Sequence, residues 1–330
     1  MITIIIIAVA SIALSILYLH KPVPVEKAET KATTAATTAA TTATTAKPKT
    51  DLAFAVLGDV HANIDSFQKA INDLYTINSG MDALVLNGDT VNQGLKEQYD
   101  SIKKVLSINK ELLPKTIIKN IGNHEFFDYS ISENTPQQVK AFINRYLEFA
   151  GEKQVYHDTW IKGYHFISLG TEDCKSQQTN ATTATISVTQ QKWLKERLAE
   201  NYQKGKPIFV FLHQNLAVTS WGWVGVQESE QVRQILAQYP EVIIFTSHTH
   251  IDLDAGSVVL NQPFTMIHTG AVSYTLKIEA DGDVDMNRIP YIKGLYIEVN
   301  RNTVVVKGRN FKEKQWIFTQ KISNKNNSTH

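Results

Sequence analysis

The chain has 330 residues, with 33 Lys and Arg against 32 Asp and Glu and a formal charge of +1. An apolar fraction of 43% belongs to a globular protein and excludes wholesale disorder. The near-zero charge argues against a general nucleic-acid binder, and a single cysteine, Cys174, excludes a disulfide framework or a thiolate-rich metal site within one chain.

The averages conceal an uneven chain. The first fifty residues hold five Lys and two Glu, which leaves 28 basic and 30 acidic residues in a slightly acidic body. Ile2 to Leu19 is a continuous apolar run, about 27 Å long as a helix, against a hydrocarbon core of roughly 30 Å. The n-region is a bare Met1 and no small-x-small site follows the run, so residues 1–19 read as an uncleaved transmembrane anchor; a cleaved signal peptide and secretion are the alternative. Residues 20–50 form a linker, with Thr/Ala repeats over 29–46 and Lys47-Pro48-Lys49 after them. Lys21, Lys27 and Lys31 favour a cytoplasmic body. The linker favours a domain held away from the membrane, and an extracytoplasmic body is the orientation preferred here.

From Asp51 the pattern alternates. Leu52–Leu57, Ala83–Leu86 and Thr116–Ile121 are short apolar runs, each ending at a glycine, with helical spacing over 65–78, up to about Leu113 and from Pro136 to Ala150. This is the β-α-β-α rhythm of a sheet with crossover helices. Strands are expected at Val155–Ile161, Tyr164–Leu169, Ile208–Leu212, Val242–Thr246, Phe264–His268, Leu295–Val299 and Thr303–Lys307. Helices are expected at Ser187–Tyr202, with Val188, Trp193, Leu194 and Leu198 inward, and at Glu228–Tyr239. Residues 51–311 form the expected catalytic domain, and 312–330 a polar tail that frays from Asn324.

The strand ends carry the chemistry: Asp59 and His61, then Asp89, then Asn123 and His124, then His213, then His248 and His250. Ligands in open α/β sheets bind beyond the carboxyl ends of strands, so these side chains can converge on one rim. Imidazoles, carboxylates and an amide, without thiolates, suit Zn, Mn or Fe. His-x-His places both rings on one side of extended backbone. Seven such ligands are too many for one tetrahedral site and suit two metals about 3.5–4 Å apart sharing a carboxylate. His157, His165 and His268 read instead as satisfied structural histidines.

In these blocks the chain resembles the calcineurin-like metallophosphoesterases. The resemblance covers residues 52–270 and rests on Asp59-x-His61, Gly88-Asp89, Gly122-Asn123-His124-Glu125, His213 and His248-x-His250, in that order. It implies a fold of two packed mixed β-sheets flanked by helices, a four-layer α/β/β/α sandwich. It implies that Asp59, His61 and His250 bind one metal, that Asn123, His213 and His248 bind the other, and that Asp89 bridges them. His124 would serve the phosphate or the leaving oxygen. The implied activity is hydrolysis of small phosphate monoesters or diesters by metal-activated water, with no nucleic-acid partner. A non-catalytic binding or scaffold protein of the same fold is the alternative.

Three departures limit the resemblance. Asn92 and Gln93 stand where phosphoprotein phosphatases of the superfamily have Asp and Arg. Asn92 can still accept a hydrogen bond for His124, but Gln93 cannot grip phosphate as a cation does. Ser247 replaces the usual glycine before His-x-His, which is tolerable if its φ is negative. Trp221 and Trp223 follow His213 in a glycine-containing loop, where they either wall a substrate pocket or pack beneath their own loop.

Overall fold

The runs ending in Gly-Asp and Gly-Asn become neighbouring strands because both of their faces can be buried. In the computed structural model, which describes residues 50–217, 224–278 and 284–323, Leu52–Leu57 (β1), Ala83–Asn87 (β2) and Thr116–Asn120 (β3) lie parallel. Ile64–Ile77 (α1) and Lys96–Ile108 (α2) cross between them. The antiparallel strands Lys293–Asn300 (β12), Thr303–Asn310 (β13) and Gln315–Ser323 (β14) extend this sheet, in the order β14-β13-β12-β1-β2-β3.

A second six-stranded sheet uses the middle of the chain. Its members are His157–Ile161 (β4), Tyr164–Ser168 (β5), Ile208–Phe211 (β6), Val242–Thr246 (β7), Val258–Val259 (β8) and Thr265–His268 (β9), in the order β4-β5-β6-β7-β9-β8. Val188–Ala199 (α4) and Ser229–Leu236 (α5) cover its outer face, as α1, α2 and Pro136–Ala150 (α3) cover that of the first. Helix α3 is fixed by its sequence: Thr135 and Gln138 make a capping box, Pro136 opens the first turn, and Gly151 ends it at φ 78°. A hairpin of Thr275–Ile278 (β10) and Val284–Ile289 (β11) joins the second sheet to β12.

Alternation within each strand divides the apolar residues between layers. In β1, Leu52, Phe54 and Val56 enter the core between the sheets, while Ala53, Ala55 and Leu57 face the first helical layer. In β6, Phe209 and Phe211 enter the central core while Ile208 and Val210 face α4 and α5. The expected four-layer arrangement of the domain is therefore present. Phe54 sits at its centre, 5.0 Å from Phe166, 4.9 Å from Phe209 and 6.0 Å from Phe245, ring centre to ring centre.

Two sequence expectations are corrected, and one further element has no counterpart among them. The polar tail begins later than residue 312, because Gln315–Ser323 pairs with β13 as an edge strand and buries Ile322 in the central core. Its pattern was hidden by Thr319, Gln320 and Lys321, polar residues that an edge strand can leave in water. Val188 lies in the first turn of α4 and is 80% exposed, whereas Leu194 and Leu198 are fully buried. The further element is the hairpin β10–β11, whose Asp285, Asn287 and Arg288 have the composition of a loop. The expected anchor at 1–19 lies outside the described residues, as does the linker except for Thr50. Among the described residues no helix is long and apolar enough to cross a membrane.

Phe54→Ala should cost about 3–5 kcal/mol of unfolding free energy. Tyr75→Ala, at a half-exposed position on α1, should cost less than about 1 kcal/mol. Urea denaturation of both variants checks this, and equal small losses would contradict a central core of this kind.

Candidate metal centre

Every expected ligand lies just beyond a strand. Asp59 and His61 follow β1, Asp89 follows β2, Asn123 follows β3, His213 follows β6, and His248 and His250 follow β7. Because β1, β2 and β3 run parallel, as do β6 and β7, their carboxyl ends meet on one rim across the two sheets. Close turns are needed there. Asp59, His61, Asp89, His248 and His250 all have left-handed backbone, with φ between 49° and 72°. Such strain persists only where surrounding contacts enforce it, and it concentrates at functional sites. Gly88 (φ 86°) and Gly122 admit no side chain, since a Cβ on either would fall within 3 Å of His213 or Asp89 atoms.

The side chains converge. His250 Nε2 is 3.2 Å from Asp59 Oδ1 and 3.0 Å from His61 Nε2. His213 Nε2 is 3.1 Å from Asp89 Oδ2 and 3.8 Å from Asp59 Oδ1. His61 Nε2 lies 3.8 Å from a carboxylate oxygen of each aspartate. Asp59, His61 and His250 form one group able to hold an ion, and Asp89, His213 and His248 form another. A third combination, of His61, Asp89 and His124, overlaps them.

The outer contacts orient the rings. Nδ1–H of His213 donates to the Asn87 carbonyl (2.8 Å) and that of His250 to the Tyr274 carbonyl (3.0 Å). His61 Nδ1 faces Asn92 Oδ1 at 3.4 Å. Each ring thereby turns its Nε2 inward, the orientation that metal-binding imidazoles require once deprotonated. Asn123 donates its amide to the Ala181 carbonyl, and its Oδ1 is buried without a hydrogen-bond partner, as are Asp59 Oδ1 and His213 Nε2. Such orphans are rare in folded proteins. An amide oxygen, a carboxylate oxygen and an imidazole nitrogen are also the donors that Mn, Fe or Zn accepts. The residues present therefore fit a metal pair.

Charge follows from burial. The Asp59 and Asp89 carboxyls lie below the usual carboxylate range, because the surrounding histidines overcome a desolvation that acts the other way. Burial lowers His248 to about 3 and His124 to about 4. It also acts to lower His213, but the charges of Asp89 and Asp59 prevail and raise that ring to about 10.

His124 has a different setting from the ligands. Its Nε2 stands 4.0 Å from Asp89 Oδ2, its ring lies 4.3 Å from that of His61, and 19% of its side chain is exposed. Its Nδ1–H donates to the backbone carbonyl of Asn92 at 2.9 Å. The hydrogen bond expected from Asn92 is thus supplied by the main chain, and the Asn92 side chain instead meets His61 and accepts from the Tyr129 hydroxyl (3.1 Å). Gln93 accepts from the Tyr129 amide and braces the loop. Ser247 is not among the left-handed residues; its hydroxyl takes the space Gly58 leaves and joins a buried chain, Asn120 to Asn87 to Ser247 to Thr269, that spans both sheets under the rim.

One residue quoted in the motif but given no role proves central. The buried Glu125 carboxylate accepts from the backbone N–H of Asp89 (3.0 Å), Thr90 (2.9 Å), Val91 (3.5 Å) and Gly122 (2.7 Å). It ties the loops after β2 and β3 together. Burial and then Asp89 push it up to about 8, while His213 and these donors oppose the rise. Four N–H donors do not show in sequence; only its place beside Asn123-His124 signalled it.

The histidines read as structural are so placed. His165 bonds Asp158 and stacks on Trp160, His268 bonds Thr249, and His157 lies near Glu152 and the Lys119 carbonyl. Cys174 is buried, which raises its thiol well above the ordinary value. Trp221 and Trp223 lie outside the described residues.

Two stacked sheets with a histidine–aspartate rim define a metallophosphoesterase fold bearing a candidate metal cluster. The chain belongs to the calcineurin-like phosphoesterase family, whose profile matches residues 52–252. No curated protein matches it significantly in sequence. Among solved structures it is similar to a dimetal phosphatase from Danio rerio, at 13% identity and TM-score 0.57, over 84% of this chain and 100% of that one. It is also similar to a purple acid phosphatase from yellow lupin, at 11% identity and TM-score 0.59, over 82% of this chain and 53% of that one. A third is the protein described as the anchor in the inner membrane complex of Plasmodium, at 15% identity and TM-score 0.53, over 84% of this chain and 90% of that one. At such identities the likeness is one of fold.

Metal ligands must be deprotonated, and a His213 ring held near 10 is protonated at pH 8. Loading apoprotein with Mn²⁺ at pH 8 should therefore release a proton from His213. Calorimetry in two buffers of different ionisation enthalpy should give different apparent enthalpies. Identical enthalpies would contradict this placement of His213.

Proposed function

We propose that this protein is a metal-dependent phosphoesterase of small phosphate esters. The single observation that carries the reading is the convergence of Asp59, His61, His250 and of Asp89, His213, His248 into two groups that share one rim. The proposed assignment is Asp59, His61 and His250 at one ion and Asn123, His213 and His248 at the other, with Asp89 between them. Two ions of Mn, Fe or Zn bound there would supply an activated water and a clamp for phosphoryl oxygens.

The chain's own residues do the rest. Asp59 and Asp89 hold negative charge in a buried site, where it attracts cations strongly. Glu125 fixes the backbone that carries Asp89 and Asn123. His124 borders the rim, with its Nδ1 held by Asn92 and its Nε2 inward. Burial keeps this ring neutral at rest. A phosphate anion beside it favours the protonated form, which can then donate to the leaving oxygen.

Two further parts of the proposal rest on sequence. The apolar run Ile2–Leu19 and the Thr/Ala-rich stretch after it support a membrane-tethered enzyme with an extracytoplasmic domain. The slightly acidic body supports small esters over nucleic acid as substrate. The rival reading is a scaffold that keeps the fold without catalysis, and the fold likeness to a protein described as an anchor favours it. The complete ligand set with His124 beside it favours catalysis.

Asp89→Asn should lose most of its bound metal and fall at least 100-fold in kcat on 4-nitrophenyl phosphate or its bis-ester. His124→Ala should fall similarly in kcat, about 10²–10⁴-fold, yet keep the metal. Metal analysis alongside turnover separates the two. Full turnover in either variant would sink the assignment.

A further inference from the structure

Beside the rim stands a cation that the ligand set does not use. Arg288, on β11, lies with its guanidinium carbon 4.4 Å over the ring of Tyr274. Tyr274 in turn stacks on His250, ring centre to ring centre 4.0 Å at an interplanar angle of 16°. Its carbonyl receives the His250 Nδ1 hydrogen. Guanidinium, phenol and imidazole form a continuous pile that ends on a candidate metal ligand.

Tyr129 is 59% exposed, and its hydroxyl donates to Asn92 Oδ1, which also faces His61. Arg288 lies close enough for its charge to oppose the rise that burial gives to both the Tyr129 and Tyr274 phenols. Among the described residues Arg288 makes no ion pair, whereas Lys175 and Arg145, the cations beside the Phe127 loop, donate to the Ile131 and Gly94 carbonyls. Its guanidinium can therefore receive an outside anion.

Position decides which anion. Arg288 is separated from His250 by the thickness of a phenol ring, so it does not reach a phosphoryl group seated on the rim. It can reach a second anionic group further out on the same substrate, and in a phosphate monoester everything beyond the phosphoryl group belongs to the leaving group. Gln93 offers no positive charge near His124. The positive charge here comes from a different strand and at a greater distance.

The geometry points to a specificity site at Arg288, with Tyr274 as its platform, for substrates whose leaving group carries a second anionic group, such as another phosphate. The inference rests on the phosphoesterase reading for the first phosphate. A guanidinium seated over an aromatic face can keep its N–H edges free for bidentate contact with phosphate oxygens. A lysine at 288 would keep the charge and lose that geometry.

The test uses the full chain loaded with Mn²⁺ and two ligands, butane-1,4-diol monophosphate and butane-1,4-diol bisphosphate, measured by calorimetry. The native protein should bind the bisphosphate about tenfold more tightly. Arg288→Ala should abolish that preference and leave the monophosphate within twofold, and Arg288→Lys should keep part of it. A preference that survives in Arg288→Ala, an equal weakening of both ligands, or no binding of either overturns the inference. Hydrolysis of 4-nitrophenyl phosphate by the same preparations reports on the underlying reading separately. If it is absent while the preference holds, the phosphoesterase reading fails and the anion site stands. If it is present and unchanged in Arg288→Ala without any preference, only the anion site fails.

Discussion

Two carboxylates share one buried pocket. Asp59 and Asp89 are almost completely inaccessible, and two nitrogens, His61 Nε2 and His213 Nε2, each lie within 4 Å of both. Two buried negative charges repel each other and have lost their hydration, so they persist only where cations or hydrogen bonds compensate. The neighbouring imidazoles lie where a cation would sit, which is why each keeps an Nε2 turned inward. The remaining features of the site serve this arrangement.

The fold meets the demand by geometry. Parallel strands from both sheets end on one rim, but no regular strand aims Asp59, His61, Asp89, His248 and His250 at one point. Left-handed backbone at all five supplies the turn. Glu125 gathers four N–H groups from two loops, and the chain from Asn120 through Asn87 and Ser247 to Thr269 fastens the sheets beneath. The apolar layer around Phe54 fixes the spacing between sheets, and thereby the distance between ligands from β1 to β3 and those from β6 and β7.

Much of this was legible in sequence because the ligand types are rare together and because each follows a short apolar run. Asp59, Asp89, Asn123 and the five histidines of the motifs fall at strand ends, and strand ends on one rim, by sequence pattern alone. What stayed hidden depends on contacts between distant residues. Glu125 acts through backbone donors that carry no sequence signature. His124 draws on a main-chain carbonyl where a side chain was expected of Asn92. Arg288 sits in a strand too polar to stand out, and β14 buries one side chain deeply enough to be held while leaving most of its surface in water. A negative φ is only part of what makes Ser247 tolerable. Its tolerance also depends on Gly58, 189 residues earlier in contact with its hydroxyl only through the fold.

The central claim is that the two groups of ligands hold a pair of ions across Asp89. Anomalous diffraction from crystals of the protein grown with Mn²⁺ measures this directly. The account predicts two peaks about 3.5–4 Å apart, one beside Asp59, His61 and His250, the other beside Asn123, His213 and His248, with Asp89 between. A single peak, or peaks away from this rim, would contradict it.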